Sequence, residues 1–267
     1  MAEGKKSSDK KNITDIKIGL IGGTGLDNPD LLKDYRELEL ETPFGKTSAS
    51  LVIGKLGNAE VAVLARHGRK HEIMPTKVPY LANLWALKEI GCTHIIATTA
   101  CGSLRQELRP GEFVFIDQFI DFTKHRTLTI FEDKVVHTAM AEPFCPRLRA
   151  VLAETAKEMD LTHHAKGTMI TIEGPRFSTR AESHLFRAWG ADTINMSTVP
   201  EVIIARELGL CYAAIGMVTD YDSWKEGEAP VTWSMIVKRV EDNAEKIKGL
   251  LLKVIPKINY TECSHCK

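Results

Sequence analysis

The chain has 267 residues, and its 35 lysine and arginine residues are balanced by 35 aspartate and glutamate residues. A hydrophobic fraction of 43% with 26% charged residues is typical of a globular protein and excludes a chain that is disordered throughout. Zero net charge argues against a protein built to hold nucleic acid, and no apolar run approaches the roughly 18 residues of a membrane span. We therefore expect a soluble protein with neither a nucleic-acid nor a membrane partner.

Apolar, β-branched runs alternate with helical patterns along the chain. A polar, lysine-rich segment without a secretory signal predicts a disordered tail over residues 1–14, and one α/β domain is expected over residues 15–258. The predicted strands are Ile16–Ile21, Leu51–Ile53, Val61–Leu64, His94–Thr98, Phe113–Ile116, Met169–Ile172, Thr193–Met196 and Cys211–Thr219. The predicted helices are Pro79–Ile90, Pro146–Met159, Arg180–Trp189, Pro200–Leu208 and Thr232–Ile255. Left-handed C′ residues are expected just past three of these helices, at Gly91, Gly190 and Gly209.

The first strand leads into a glycine-rich segment, Gly19–Asp27. Glycines allow backbone N–H groups to point at an anion here, and Thr24 adds a hydroxyl donor. A dinucleotide fingerprint that starts at Gly23 needs a glycine at position 28, where Asn28 stands, and no Gly-Lys-Ser/Thr closes a Walker loop. The segment predicts a site for a phosphate-sized anion, and a tight turn without a ligand is the alternative.

The strand VAVLA is followed by RHGRKH, Arg66 to His71, in which five of the six residues can carry a positive charge. An arginine at this place can hold a phosphate with two parallel donors. A solvated charged surface is the ordinary explanation of such a cluster. Two histidines and a glycine among the cations, at the end of a strand, favour an anion site.

The segment TTACGSL, Thr98–Leu104, leaves the next buried strand and predicts a turn of small residues. Hydroxyls at Thr98, Thr99 and Ser103, together with backbone amides, can bind an oxyanion, although ordinary turn chemistry explains them as well. Ligands of open α/β sheets collect at the carboxyl ends of the strands. We therefore expect these strand-end segments to face one site.

Two further strands end in polar, proline-containing turns before helices, at Ile172–Ser183 and Asn195–Glu201. Glu173, Ser178 and Ser197 can face a ligand there. Capping a helix is the commoner role of a serine at such a place, so both interpretations stay open.

The last strand ends in VTDYD, with carboxyl groups at Asp220 and Asp222. A two-residue interval places both on the same side of an extended chain. Like charges at close range beside an apolar sheet resist simultaneous ionisation, so one pKa is expected to rise and to allow general acid catalysis near neutral pH. Two exposed loop acids are the alternative.

Six cysteines are too few and too scattered for a disulfide scaffold, so a reducing cytoplasm is the expected compartment. Cys263 and Cys266 form a C-x-x-C pair, but no second pair stands at the spacing of a zinc site. The pattern favours a mobile tail over residues 259–267 with two thiols, open to redox chemistry, over a metal site.

Ten motifs follow one another along the chain: GGTGLD, TPFG, ARHGRKH, IMP, NLWALKE, TTACGSL, MAEPFCP, TIEGPRFSTRAES, INMSTVPE and TDYD. Over about residues 17–256 this pattern closely resembles the 5′-methylthioadenosine phosphorylases of the trimeric purine nucleoside phosphorylase superfamily. The resemblance implies homotrimers of a single-domain subunit, a twisted mixed central β-sheet flanked by helices. It also implies phosphorolysis of methylthioadenosine to adenine and methylthioribose 1-phosphate. Inorganic phosphate is then the co-substrate, and no metal or organic cofactor is expected.

The resemblance also implies the roles of particular residues. Those expected to hold phosphate are Thr24, Arg66, His67, Thr99, the Ala100 amide and Ser197. Those expected to hold the nucleoside are Ile172, Phe177, Ser178, Met196 against the ribose, Asp220, Asp222 and His137, which would close the 5′ pocket from a neighbouring subunit. The expected catalytic group is Asp220, Asp222 and Ser197.

The chemistry of the reaction fits these residue types. Cleavage of the bond between purine and ribose builds positive charge on the sugar and negative charge on the leaving base. A bound phosphate can stabilise the first charge and then attack the sugar, and a protonated Asp220 can neutralise the second at purine N7. Asp222 and Ser178 would then recognise the adenine edge, because an exocyclic amine donates a hydrogen bond to a carboxylate.

Two positions depart from the family pattern. Ser197 stands where a threonine is common, and Trp233 stands where a small aliphatic residue is expected near the 5′ pocket. A tryptophan can shrink that pocket, so a broader purine nucleoside phosphorylase acting on adenosine or inosine is the alternative. An oxidoreductase built on Gly19–Gly25 lacks the third glycine of its fingerprint, and a non-catalytic nucleoside-binding protein does not need a protonated Asp220.

Overall fold

The computed structural model describes residues 17–22, 32–228, 231–260, 263 and 266. Its strands are β1 (Ile18–Gly22), β2 (Lys33–Leu38), β3 (Glu41–Thr42), β4 (Gly45–Lys46), β5 (Leu51–Leu56), β6 (Ala59–Ala65), β7 (His94–Ser103), β8 (Phe113–Phe115), β9 (Gln118–Phe122), β10 (His163–His164), β11 (Thr168–Ile172), β12 (Thr193–Asn195) and β13 (Cys211–Asp220). Its α-helices are α1 (Tyr80–Glu89), α2 (Pro146–Glu158), α3 (Arg180–Ala188), α4 (Thr198–Glu207) and α5 (Trp233–Val254). No helix of the described residues is long and apolar enough to cross a membrane.

A mixed sheet of 11 strands forms the centre of the fold, with its main run in the order β10-β8-β13-β7-β1-β6-β5-β2. The strands β13, β7, β1 and β6 are parallel to one another. Strand β8 pairs antiparallel with β13 and parallel with β10, and β5 pairs antiparallel with both β6 and β2. The end of β7 also pairs with β12, which brings β11 and β9 into the same sheet. The predicted mixed sheet flanked by helices is confirmed.

Helices cover both faces of the sheet. One apolar cluster joins α2 and α5 to the sheet, and a second joins α1 and α4 to its other face. Alternate residues of β13 enter the two clusters, so all ten of its residues are buried. A strand that is covered on both faces carries apolar residues at nearly every position. Such a continuous apolar run is easily recognised in a sequence, which is why β13 was predicted well.

All eight predicted strands and all five predicted helices occur in the described residues, with small shifts at most ends. The three glycines predicted as left-handed C′ residues have φ of +97°, +84° and +66°, at Gly91, Gly190 and Gly209. The sequence analysis missed β2, β3, β4, β9 and β10. These are short or, in β2, exposed and charged, so no apolar run marks them. The tail predicted over residues 1–14 lies outside the described residues.

The turn predicted over Thr98–Leu104 is wrong for most of that segment. Strand β7 continues to Ser103 because its backbone finds partners on two sides. It pairs with β13 as far as Gly102, and its last two residues also pair with Thr193 and Ile194 of β12. The segment therefore continues the sheet to Ser103 instead of leaving it as a turn at Thr98.

The prediction of a mobile tail is also wrong for the two cysteines near the C-terminus. Cys263 and Cys266 are only 6% and 3% exposed. They lie against the start of α2 and the start of β13, next to Cys145 and Cys211. The spacing of Cys263 and Cys266 in the sequence could not predict this arrangement, because the other two cysteines come from distant segments of the chain.

A buried ion pair ties the end of β6 to α4. Arg66 is 2% exposed, and its Nε and Nη2 atoms donate to the two oxygens of fully buried Glu201 at 2.7 and 2.9 Å. Tyr212 on β13 donates its hydroxyl to the same carboxylate at 2.7 Å, and Arg66 Nη1 donates to the Thr98 carbonyl at 2.9 Å. Burial alone would lower the pKa of Arg66, but the charge of Glu201 outweighs it and raises that pKa. The pair thus links β6, β7, β13 and α4.

We expect Glu201→Gln to lower the free energy of unfolding by about 3 kcal/mol, because it leaves the buried Arg66 guanidinium without its counter-charge. Denaturant unfolding followed by tryptophan fluorescence measures the change. The matched control is Glu60→Gln, which removes the exposed partner that Arg36 contacts at 3.1 Å. The control should change stability by less than about 1 kcal/mol, and equal losses for the two variants would contradict the assignment.

Candidate active site

A cavity opens where β6, β7, β11, β12 and β13 end, beside the first turns of α4 and α5. The residues assigned from the sequence that line it are Arg66, His67, Thr99, Ala100, Ile172, Phe177, Ser178, Met196, Ser197, Asp220, Asp222 and Trp233. Thr24 lies outside the described residues. His137 is exposed and is not among the residues that line this cavity within its own chain. Segments that are far apart in the sequence therefore face one pocket.

Asp220 is the last residue of β13 and is buried in the wall of the pocket. Its Oδ2 accepts a hydrogen bond from the Thr219 hydroxyl at 2.7 Å, and its Oδ1 accepts one from the Asp222 amide at 2.8 Å. Burial raises the pKa of Asp220, the charge of Asp222 adds to the rise, and the two hydrogen bonds oppose it. The sequence analysis predicted this direction, but burial rather than repulsion between carboxylates is its main cause.

Asp222 lies beyond the strand in the left-handed conformation, with φ of +50°. The chain is therefore not extended through Asp222, and the prediction that an extended chain places Asp220 and Asp222 on the same side is wrong, although both residues line the pocket. The Ser178 hydroxyl lies 2.6 Å from each oxygen of the Asp222 carboxylate and donates to it. The cap of α3 is the next residue, Thr179, in a capping box with Glu182. Because Thr179 caps the helix, the Ser178 hydroxyl is available to position the Asp222 carboxylate.

Hydroxyl groups cluster at another part of the pocket wall. The Oγ atoms of Thr99 and Ser197 lie 3.0 Å apart. The Asn195 amide donates to Thr99 at 3.0 Å and to Thr198 at 2.7 Å, and its oxygen accepts from the Thr171 hydroxyl at 2.9 Å. Sequence reasoning missed Asn195, whose only signal was its position at the end of an apolar strand.

Ser197 is the N-cap residue of α4, but its side chain makes no capping hydrogen bond. Its hydroxyl instead turns toward Thr99. Val199, two residues on, has non-helical φ and ψ and breaks the first turn of α4, so no regular row of helix amides faces this point. The hydroxyls of Thr99 and Ser197 are neutral groups that can bind an oxyanion by hydrogen bonds.

The cationic segment is less positive at the pocket than the sequence predicts. Arg69 and Lys70 are exposed, and Arg69 pairs with Glu37 at 2.8 Å. Glu201 occupies the edge of the Arg66 guanidinium formed by Nε and Nη2. That Arg66 holds phosphate with two parallel donors stays a prediction for its other edge, formed by Nη1 and Nη2.

His67 lies beside Arg66 in the pocket wall, with its Nδ1 2.9 Å from the Ile73 carbonyl oxygen. Burial, aided by the charge of Arg66, lowers the pKa of His67 to about 4, so its ring is neutral near pH 7. The carbonyl can only accept, so the neutral ring carries its proton on Nδ1 and keeps Nε2 as an acceptor.

A stack of rings forms one side of the pocket. The rings of His67 and His71 have centroids 4.6 Å apart, and those of His71 and Trp233 are also 4.6 Å apart. Trp233 is the first residue of α5 and is 48% exposed. This wall, with Met196 and Phe177 elsewhere in the lining, offers apolar surface to a ligand.

Glu173, which the sequence left open as a ligand contact, is used by the fold. It accepts hydrogen bonds from the Thr76 hydroxyl at 2.6 Å, from the amides of Lys124 and His125, and from Arg126 Nε. Burial opposes ionisation of Glu173, but these hydrogen bonds prevail and hold its pKa at about 2. Glu173 is absent from the lining of this pocket.

Residues 17–256 match the family model of the phosphorylase superfamily. An S-methyl-5′-thioadenosine phosphorylase from Danio rerio is 55% identical over 249 residues, which cover 91% of this chain and 89% of the relative. The same enzyme from Xenopus tropicalis is 54% identical over 250 residues, with the same two coverages. A solved methylthioadenosine phosphorylase from Schistosoma mansoni, in complex with adenine, has a TM-score of 0.88 at 43% identity and covers 92% of this chain and 94% of its own. The chain therefore belongs to the phosphorylase superfamily and, within it, to the S-methyl-5′-thioadenosine phosphorylase family.

Proposed function

We propose that this chain catalyses the phosphorolysis of 5′-methylthioadenosine to adenine and 5-methylthioribose 1-phosphate, a step of purine and methionine salvage. The observation that carries the proposal is one pocket that holds both a buried carboxyl of raised pKa, Asp220, and an oxyanion-binding cluster at Thr99 and Ser197. Relatives named for this activity support it, as does the S. mansoni enzyme in complexes with adenine and with methylthioadenosine.

The two aspartates divide the recognition of the purine between them. Asp220, whose pKa is raised by burial, donates a proton to N7 and neutralises the charge that develops on the leaving base. Asp222 accepts from the exocyclic amine of adenine. Its carboxylate has about four lone-pair sites, so it can do this while accepting from Ser178.

Phosphate lies beside the start of α4, bound mainly by neutral donors. The hydroxyls of Thr99 and Ser197 and the Ala100 amide are its first contacts, and the remaining N–H groups of Arg66 add to them. His67 accepts from the P–OH of monohydrogen phosphate through Nε2. Thr24 belongs to this set by sequence resemblance. The bound phosphate and Asp220 supply the chemistry, so we propose no metal or organic cofactor for the reaction.

We also propose a homotrimer, in which His137 of each subunit closes the 5′ side of a neighbouring pocket. The segment that carries His137 also presents Val135 and Val136, which are 84% and 41% exposed. Exposed apolar side chains next to each other favour contact with a partner. A cytoplasmic location is supported by six cysteines that are all free thiols.

Release of the base from methylthioadenosine, adenosine and inosine, each with and without phosphate, tests the proposed reaction by ultraviolet absorbance. We expect adenine release that depends on phosphate and is fastest with methylthioadenosine. Phosphate-dependent turnover that favours adenosine or inosine would establish the broader phosphorylase instead. Release without phosphate would indicate a hydrolase and would overturn the phosphate site.

Asp220→Asn should lower kcat by about 100-fold or more, with little change in the KM for phosphate, because it removes the general acid.

The raised pKa of Asp220 means that the folded state binds the proton of this carboxyl more tightly than the unfolded state does. The free energy of unfolding therefore falls as pH rises above the ordinary value of 3.8 toward the raised one. The variant should lose this part of the pH dependence and gain stability at pH 7, as measured by thermal unfolding. Asp133→Asn, at an exposed aspartate, is the control, and unchanged kcat in Asp220→Asn would exclude this role.

Trp233→Ala should reduce the preference for methylthioadenosine over adenosine, measured as the ratio of their kcat/KM values, by about 10-fold. The reason is the loss of apolar contact with the methylthio group, and a contact of this size is worth about 1–3 kcal/mol. Met235→Ala, in the same turn of α5 and outside the pocket lining, should leave the ratio unchanged. An equal loss for both substrates in Trp233→Ala would show that the 5′ group is read elsewhere.

A further inference from the structure

Four cysteines meet at the end of the sheet that lies away from the pocket. They are Cys145 at the N-cap of α2, Cys211 at the start of β13, and Cys263 and Cys266 near the C-terminus. Their Sγ atoms lie within 4.8 Å of one another, and no side chain of the four is more than 6% exposed. Cys211 and Asp220 are the two ends of an extended strand, so roughly 30 Å separates this cluster from the proposed catalytic acid. The proposed phosphorolysis does not use these thiols.

The spacing of the sulfurs suits a metal ion. Four thiolates around Zn²⁺ have bonds of about 2.3 Å, which places the sulfurs of a tetrahedron about 3.8 Å apart. The cluster reaches that geometry if its longest separations shorten by about 1 Å. A disulfide joins two sulfurs at about 2.05 Å, so two disulfides would divide the four sulfurs into pairs, whereas a metal ion uses the mutual closeness of all four. All four are free thiols in this structure.

The backbone holds each half of the cluster in place. The Cys145 amide donates to the carbonyl of Tyr212 at 2.8 Å, which fixes the start of α2 beside the start of β13. The Cys266 amide donates to the Cys263 carbonyl at 3.0 Å, which closes a four-residue turn around the C-x-x-C pair. Each half therefore presents two sulfurs before any ion binds.

The start of a helix favours a thiolate at one of the four positions. Cys145 is the N-cap residue of the 13-residue helix α2, and the positive end of the helix dipole stabilises a negative charge there.

Two cations lie close by. Arg147 and Lys257 line a small cavity that Cys145 and Cys263 also line. A zinc ion with four thiolates carries a net charge of −2. Arg147 brings a positive charge to the same cavity, whereas Lys257 is paired with Glu158.

We propose that Cys145, Cys211, Cys263 and Cys266 bind one Zn²⁺ ion as a tetrahedral structural site. Four thiols lose their protons to solvent as four S–Zn bonds form, and no oxidation or reduction is involved. Because all four positions are filled by protein sulfur, none is open to substrate. Soft thiolates select Zn²⁺ over Mg²⁺ or Ca²⁺. The ion fastens the C-terminal segment to α2 and β13, whereas the sequence spacing favoured a tail with free thiols.

The full-length chain, purified with a phosphine reductant and without a chelator, tests the proposal by mass-spectrometric metal analysis. We expect about one zinc per chain in the wild type and less than about 0.1 in the double variant Cys263→Ser, Cys266→Ser. The control is Cys92→Ser, which removes a buried thiol outside the cluster and should retain the full zinc content.

A second measurement uses the wild type alone and does not depend on the folding of any variant. After zinc is removed by a chelator, addition of Co²⁺ should produce thiolate-to-cobalt charge-transfer absorption in the near ultraviolet and the strong visible bands of tetrahedral cobalt. Zinc retained in the double variant would place the ion elsewhere. A second preparation of the wild type is purified without a reductant. A chain that contains no zinc there and is two or four mass units lighter than its reduced form would replace the metal site with disulfides. Both readouts are independent of whether the chain cleaves nucleosides.

Discussion

The buried ion pair between Arg66 and Glu201 is the constraint on which the pocket depends. It fixes the end of β6 against α4 and, through Tyr212 and Thr98, against β13 and β7. It also consumes most of the positive charge that the chain brings to this place. An anion in the pocket must therefore be held largely by hydroxyl and amide groups, whose positions are set by the sheet and by the start of a helix. Neutral donors of this kind distinguish one anion from another by shape and by protonation state more than by net charge.

At Asp220, burial outweighs the two hydrogen bonds that its carboxylate accepts, from the Thr219 hydroxyl and the Asp222 amide. Its pKa is therefore raised, which suits a group that gives a proton to a leaving purine. This arrangement lowers stability at neutral pH, and the fold tolerates it because β13 is packed on both faces along its whole length. Asp222 differs, since Ser178 donates to it and preserves it as an acceptor. Two identical side chains thus acquire different functions from their surroundings.

Local signals predicted most of the fold, and contacts between distant segments account for what was missed. Apolar runs such as β13 mark strands that are buried on both faces, and glycines such as Gly91 mark the ends of helices. The sequence also placed most of the candidate residues around one pocket. The sequence could not show that Glu201 would accept hydrogen bonds from the Arg66 guanidinium, 135 positions away, because nothing local to either residue encodes the pairing. The four-cysteine cluster escaped detection for the same reason.

The two ends of the main strand run bear on how copies of this chain behave together in solution. Strand β2 ends the run on one side, with charged residues at four of its six positions and nearly all of them exposed, whereas β10 on the other side has only two residues. A chain of zero net charge has little long-range repulsion to keep its copies apart near neutral pH. Resistance to edge-to-edge aggregation therefore depends on the two edges. At β2, desolvated lysine, aspartate, arginine and glutamate would oppose the growth of the sheet into a second molecule, and β10 offers only two residues for pairing.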